Sequence, residues 1–241
     1  NNTNIMDAQY AVEVKNGGNL DCNGSTFDRN YVGVYANNHT GANITIEGST
    51  FKCTNCLTGN PLKNGYTGQG PDPLNNTYAG VLGLNATFNV GVNGASDNIF
   101  DGLYRGVSLK NCYTTVLKSS FKNMPLQSEY VELTGDVGGG IGITADVNTA
   151  GKLTQYGFGD YTGATASFDN CYYGIYSKKG SLSVNSNTMT TMVNGINCSS
   201  ALTGQTILIS TNNIAATKVA IALLNNEPAS SIGVSYNTLT V

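Results

Sequence analysis

The chain has 241 residues, a formal charge of −3 at pH 7 and only 11% charged residues, against the ~25% of an average globular domain. Its 12 lysines and arginines are scattered, with Lys178-Lys179 the one adjacent pair, which excludes the basic footprint that nucleic acid demands, and no stretch approaches the ~20 apolar residues of a membrane-spanning helix. What remains is a neutral surface of Asn, Thr, Ser and Gly, suited to hydrogen bonding.

In chain order, a weak unit returns every 21 to 25 residues. It places Ser or Asn two positions before an apolar anchor, Gly or Ala six positions after it, and another apolar residue next. Ile5 is the first anchor. Phe27 follows, with Gly33-Val34; then Phe51; Phe100 with Gly106-Val107; Phe121; Phe168 with Gly174-Ile175; Met189 with Gly195-Ile196; Ile214 with Ala220-Ile221; and Leu239. A fixed period of this length marks stacked supersecondary units. Helix formers do not recur at helical spacing. Short alternating runs such as Val32-Gly33-Val34-Tyr35, Ile44-Thr45-Ile46, Ser181-Leu182-Ser183-Val184 and Ile207-Leu208-Ile209-Ser210 read instead as strands of period two, punctuated by Asn, Gly and Ser turns.

Three short strands per unit predict one rung of a parallel β-helix, an all-β solenoid of about nine rungs in a single domain over 1–241. Rungs ~4.8 Å apart stack equivalent residues directly. The anchors then form an apolar column inside the coil. Ser25, Ser49, Asn98, Ser119, Asn187, Asn212 and Asn237, each two places before an anchor, form a polar ladder along the axis. Ala166 breaks that ladder at the Phe168 rung.

Two intervals are double length, 49 residues from Phe51 to Phe100 and 47 from Phe121 to Phe168. The small-apolar pair returns late in each, at Gly80-Val81 and at Gly140-Ile141, so both read as rungs with insertions. The inserted loops fall near 56–79, 124–139 and 145–163; the first is rich in Pro and Gly, as in Gly70-Pro71-Asp72-Pro73. Insertions gathered on one face of a solenoid are the expected place for binding. Tyr66 and Tyr78 in the first, Tyr130 in the second, Tyr156 and Tyr161 in the third, and Tyr104 in a flanking rung are candidate ligand contacts, because a tyrosine offers a sugar ring a flat apolar face with a polar tip. Glu129, Glu132 and Asp136 are a candidate Ca²⁺ group, although they lack the alternating Asp/Asn spacing of a dedicated loop and a solvated acidic loop explains them better.

Ser25-Thr26-Phe27, Ser49-Thr50-Phe51, Asn98-Ile99-Phe100, Ser119-Ser120-Phe121, Asn187-Thr188-Met189, Asn212-Asn213-Ile214 and Asn237-Thr238-Leu239 span almost the whole chain. Through them it resembles right-handed parallel β-helix proteins of the pectate-lyase-like fold, as found in the repeat regions of large bacterial secreted and surface proteins. The resemblance implies an extracellular or cell-surface module, a rigid stalk of an adhesin or secreted repeat protein with a possible glycan- or protein-binding face. The alternative it implies is a polysaccharide lyase or glycoside hydrolase acting on acidic or plant-type polysaccharide.

For catalysis the residues offer little. Asp28, Asp101 and Asp169 share one column, two rungs or ~10 Å apart, too far for a Ca²⁺ cage and marginal for an inverting carboxylate pair, so no catalytic residue is assigned. Arg29 and Arg105 occupy different offsets. His39 stands alone and reads as a solvated turn residue. The chain opens at Asn1 and closes inside a repeat unit, which reads as a piece of a longer parent chain and makes the rest of that chain a partner. The six cysteines mildly favour an exported protein. Cys53 and Cys56, a lone CxxC, fit buried thiols or a local disulfide better than a zinc site.

Overall fold

The computed structural model describes residues 2–39, 43–54, 78–92, 96–124, 139–146, 155–159, 167–201, 203–228 and 230–241. Among them there is no helix; the strands form three rows, every pairing is parallel, and the chain is a parallel β-helix. The anchor row begins with Asn4–Met6, Thr26–Asp28, Thr50–Lys52, Asn98–Asp101, Ser119–Met124 and Phe168–Cys171. The second row begins with Tyr10–Lys15, Val32–Asn37, Ala79–Leu84, Arg105–Lys110, Ile141–Asp146 and Tyr173–Lys178. Two long strands, Thr188–Ser199 and Asn213–Leu224, serve both rows in the later turns. The third row is an eight-stranded sheet from Leu20–Asn23 to Ser231–Ser235.

The anchors stack in the expected register: Ile5, Phe27, Phe51, Phe100, Phe121, Phe168, Met189, Ile214 and Leu239 are successive cross-strand partners. Phe51 pairs directly with Phe100, and Phe121 with Phe168, so neither double-length interval hides a rung. The coil has about seven turns, slightly fewer than the nine expected. Ile232, Val234, Leu239 and Val241 are exposed at the end of the stack.

The five phenylalanine rings form one continuous pile, with centroids 4.7 Å apart for Phe27–Phe51 and 4.8 Å for each later pair. That distance is the rung spacing itself, so rings on adjacent strands have no choice but to lie face to face. The pile also explains the small residue at plus six. A Cβ on Gly33 would meet the Phe51 ring at 2.7 Å, on Gly80 the Phe100 ring at 2.6 Å, and on Gly106 both the Phe121 ring at 2.5 Å and the Gly142 carbonyl oxygen at 2.6 Å. Each glycine therefore lies over the next turn's ring. Gly106→Ala is expected to cost about 1–3 kcal/mol by overpacking, since backbone oxygen cannot yield as a flexible side chain would; urea denaturation of the variant checks it, and a cost near zero would show that the rings shift freely.

The same column corrects one detail. After Phe121 the small-apolar pair is Gly142-Ile143, since Val107 pairs with Ile143 and Arg105 with Ile141. The run Gly140-Ile141-Gly142-Ile143 offers two equivalent frames, and the pattern alone selects the wrong one. A second difference concerns the third insertion, near 145–163. Ala145 and Asp146 complete a strand of the second row, and Gln155–Gly159 is a strand of the third row between Tyr113–Leu117 and Ser181–Asn185. Residues 147–154 and 160–166, like most of the first two insertions, lie outside the described residues.

The polar ladder is real and directional. The Ser25 amide donates to Ser49 Oγ (3.2 Å), Ser49 to Asn98 Oδ1 (3.0 Å), Asn187 to Asn212 Oδ1 (3.1 Å) and Asn212 to Asn237 Oδ1 (3.0 Å). At the rung where Ala166 breaks the pattern, Ser167 substitutes from one position later: its hydroxyl donates to the Thr188 carbonyl and accepts from the Thr188 amide. A second asparagine ladder marks an outer corner, where Asn38, Asn85 and Asn111 share left-handed φ values of 49°, 50° and 54° and link side chain to side chain. Asparagine tolerates that conformation better than most residues.

Cys22, Cys112, Cys171 and Cys198 are free and buried. Cys53 is disulfide-bonded, and the remaining cysteine, Cys56, lies outside the described residues. The even count is thus not a disulfide framework, and it lends no support to export. Burial pushes the Cys171 and Cys198 thiols up from 9.0 to about 12. Because the folded values lie above the unfolded one, this contribution to stability is whole below pH 9 and is lost as the pH climbs towards 12. Ellman's reagent at pH 8 is expected to leave both thiols unmodified until denaturant is added; labelling of the native protein would show that the core opens.

Candidate functional site

The outer face of the anchor row presents two parallel columns. One carries Thr26, Thr50, Ile99, Ser120, Thr188, Asn213 and Thr238. The other runs Asp28, Lys52, Asp101, Lys122, Asp169, Thr190. The three aspartates share a column as the spacing predicts, but lysines alternate with them. Lys52 Nζ lies 3.8 Å from Asp28 Oδ2, and Lys122 Nζ 3.4 Å from Asp101 Oδ2. Asp28 Oδ1 also accepts the Thr54 amide, Asp101 Oδ1 the Asn123 amide group and Asp169 Oδ1 the Thr190 hydroxyl, each at 2.8 Å. Arg29 has its own carboxylate: Nε and one terminal nitrogen donate to Asp7 at 2.8 and 2.7 Å, and this bidentate bond holds the Asp7 carboxyl below the usual range.

The first turns of the second row carry an apolar outer cluster. Tyr31, Val32, Tyr35, Tyr78, Ala79, Leu82 and Tyr104 form a buried cluster separate from the core of the coil. Arg105 is buried within it, its guanidinium carbon 5.7 Å from the Tyr78 ring centroid and 5.8 Å from the Tyr104 centroid, with one nitrogen donating to Tyr78 Oη and Ser108 Oγ. Such cation–π contacts strengthen as water is excluded.

The expected ligand contacts separate into three groups. Tyr78 and Tyr104 are each only 3% exposed and enclose Arg105, which leaves no free ring face for a sugar. Tyr156 belongs to a strand, at the register position of Thr114 and Leu182, both buried. Tyr66, Tyr130 and Tyr161, and the candidate Ca²⁺ ligands Glu129, Glu132 and Asp136, lie outside the described residues. Among the described residues no group of His, Cys, Asp and Glu side chains is arranged to hold a metal ion.

His39 corrects an expectation outright. It is 0% exposed, with Nε2 2.8 Å from the Gly18 carbonyl oxygen and Nδ1 3.3 Å from the Thr87 carbonyl oxygen. The imidazole fills an inner corner and ties its own turn to the turns on both sides. Its flanking residues Asn38 and Thr40 suggest a solvated turn; only the contacts with Gly18 and Thr87 in the neighbouring turns reveal that position 39 is enclosed.

The candidate contacts do not include the open part of the second-row face, although Tyr172, like Tyr31 and Tyr104, stands four places after its anchor. Tyr172, Tyr173 and Tyr176 are half-buried there and pack edge to face, with centroids 5.0 Å apart for Tyr172–Tyr173 and 5.6 Å for Tyr173–Tyr176. Tyr173 pairs with Asn194 and Tyr176 with Asn197 in the next turn. Counting outward positions from Gly174 would have found them.

Among the described residues no helix is long and apolar enough to cross a membrane. No protein-family model matches the chain, and no curated protein or solved structure matches it, so function must be argued from this geometry alone.

Proposed function

We propose that the chain is a rigid β-helix module of a secreted or cell-surface protein, a spacer that presents a glycan- or protein-contacting face and does no chemistry of its own. One observation supports this above the others. Each aspartate on the outer face of the anchor row is paired within or between turns, so the most reactive groups of that face serve to hold the coil. The ring pile and the amide ladder inside act in the same sense, giving a stack whose units bury their faces only against neighbours. The resemblance to repeat regions of secreted proteins and the low charge agree with an extracellular setting, and inert, buried thiols are compatible with it.

A lyase or hydrolase would instead need carboxylates facing a shared space. A panel of neutral and acidic polysaccharides, assayed for binding and for released ends, separates the readings. Binding without turnover is expected. Release of reducing or unsaturated ends would overturn the proposal, and failure to bind any glycan or surface protein would reduce the module to a spacer, whose stiffness single-molecule pulling measures.

A further inference from the structure

The outer face of the second row changes character along the axis. Its first outward column runs Val32, Ala79, Arg105, Ile141, Tyr173, Asn194, Val219, and its second runs Tyr35, Leu82, Ser108, Thr144, Tyr176, Asn197, Ala222. From Val32 to Thr144 every one of these side chains is buried. From Tyr173 onward all are half-buried or exposed, and Val219 reaches 39% exposure. The cover therefore stops at the tyrosine cluster.

The open stretch contains aromatic rings, two amides in register with them and two small aliphatic residues, and neither column bears a charge there. Asn197 has a further property. Its Oδ1 is enclosed and has no hydrogen-bond partner, the only amide oxygen among the described residues in that condition. An enclosed, unpaired acceptor lowers stability; an asparagine at this place is explained if the acceptor is used when something else is bound. Aromatic faces receive the C–H side of a pyranose, and an amide oxygen accepts a sugar hydroxyl. The absence of lysine and arginine from the open stretch of the two columns, Tyr173 to Val219 and Tyr176 to Ala222, favours an uncharged sugar over a uronic acid.

We infer that Tyr173, Tyr176, Asn194 and Asn197 form a subsite for a neutral hexose unit of a glycan, with the Tyr176 ring shifting to admit a hydroxyl to Asn197 Oδ1. The inference rests on the reading of the chain as a glycan-presenting module. It specifies where on the surface the sugar sits and which class of sugar it is.

The test is calorimetric titration with maltohexaose, cellohexaose and hexagalacturonate, together with saturation-transfer NMR. The wild-type chain is expected to bind a neutral hexasaccharide more tightly than hexagalacturonate. Tyr173→Leu and Tyr176→Leu, which keep apolar bulk but remove the ring face, are each expected to weaken binding about tenfold. Asn197→Leu is expected to weaken binding while raising the Tm, a combination that a purely structural asparagine would not give. Undiminished affinity in both tyrosine variants, folded by circular dichroism, would overturn the subsite and leave the glycan-presenting reading intact. Preference for hexagalacturonate would overturn the sugar class. No binding of any saccharide would overturn the reading beneath it, and a lowered Tm for Asn197→Leu would refute the unpaired acceptor.

Discussion

Phe100→Ala is expected to lower the stability of the coil by about 3–5 kcal/mol, the range for removing a large aromatic ring from a packed core. Phe100 is fully buried, with Phe51 stacked on one face and Phe121 on the other, both at 4.8 Å. Its ring also fills the space where Gly80 lacks a side chain. A globular core relaxes around such a loss by letting neighbours move inward. Here the two neighbouring rings belong to strands held at the rung spacing by their hydrogen-bonded register, so the cavity stays open. Leu239→Ala, in the same column at an exposed end, is expected to cost less than about 1 kcal/mol, since little apolar area is lost there. Urea denaturation of both variants measures the contrast. Equal costs would mean that the column does not act as a pile of mutually supporting rings.

The second large effect is expected at Asn212→Ala, at about 3 kcal/mol. Its side chain accepts from the backbone and side-chain amides of Asn187 (3.1 and 3.0 Å) and donates to the carbonyl oxygens of Val184 and Ser210 and to Asn237 Oδ1 (3.1, 2.9 and 2.9 Å). Alanine strands several of these groups at once, and a buried donor left without a partner costs about 1–3 kcal/mol. Asn237→Ala, at a part-buried side chain whose one donor bond goes to the Ile209 carbonyl oxygen, is expected to cost roughly a third as much. Amide hydrogen exchange supplies the local readout: the Asn187 N–H should exchange much faster in the Asn212 variant. Unchanged protection there would show that the ladder is incidental to the stack.

Much of the architecture was legible because a solenoid turns distance along the chain into vertical neighbourhood. The anchor and the residue two places before it both need a specific side chain at every turn, a ring for stacking and an amide or hydroxyl for the ladder, so selection by packing repeats them in the text. The frame slip at Gly140-Ile141-Gly142-Ile143 shows the limit. Where two glycines alternate with two isoleucines, one-dimensional spacing has no means of choosing which glycine lies over a ring.

The candidate site was harder to read, and the tyrosines show why. Tyr78, Tyr104, Tyr173 and Tyr176 look alike in the chain, and spacing marks only the first two as candidate ligand contacts. Their fates differ because exposure on the outer face of a solenoid depends on what covers that face. Arg105 draws Tyr78 and Tyr104 into an enclosed cluster, whereas Tyr173 and Tyr176 fall one turn beyond the cover. His39 was misplaced for a related reason, since its partners, Gly18 and Thr87, lie 21 and 48 residues away.

By itself, then, the order of residues determined the period and the inward columns, because those depend on contacts repeated identically from turn to turn. The tertiary structure alone decided which aspartates meet lysines, which tyrosines are enclosed and which amide is left without a partner. Those outcomes hang on a single neighbour a full turn or more away, and a contact made once leaves no periodic trace.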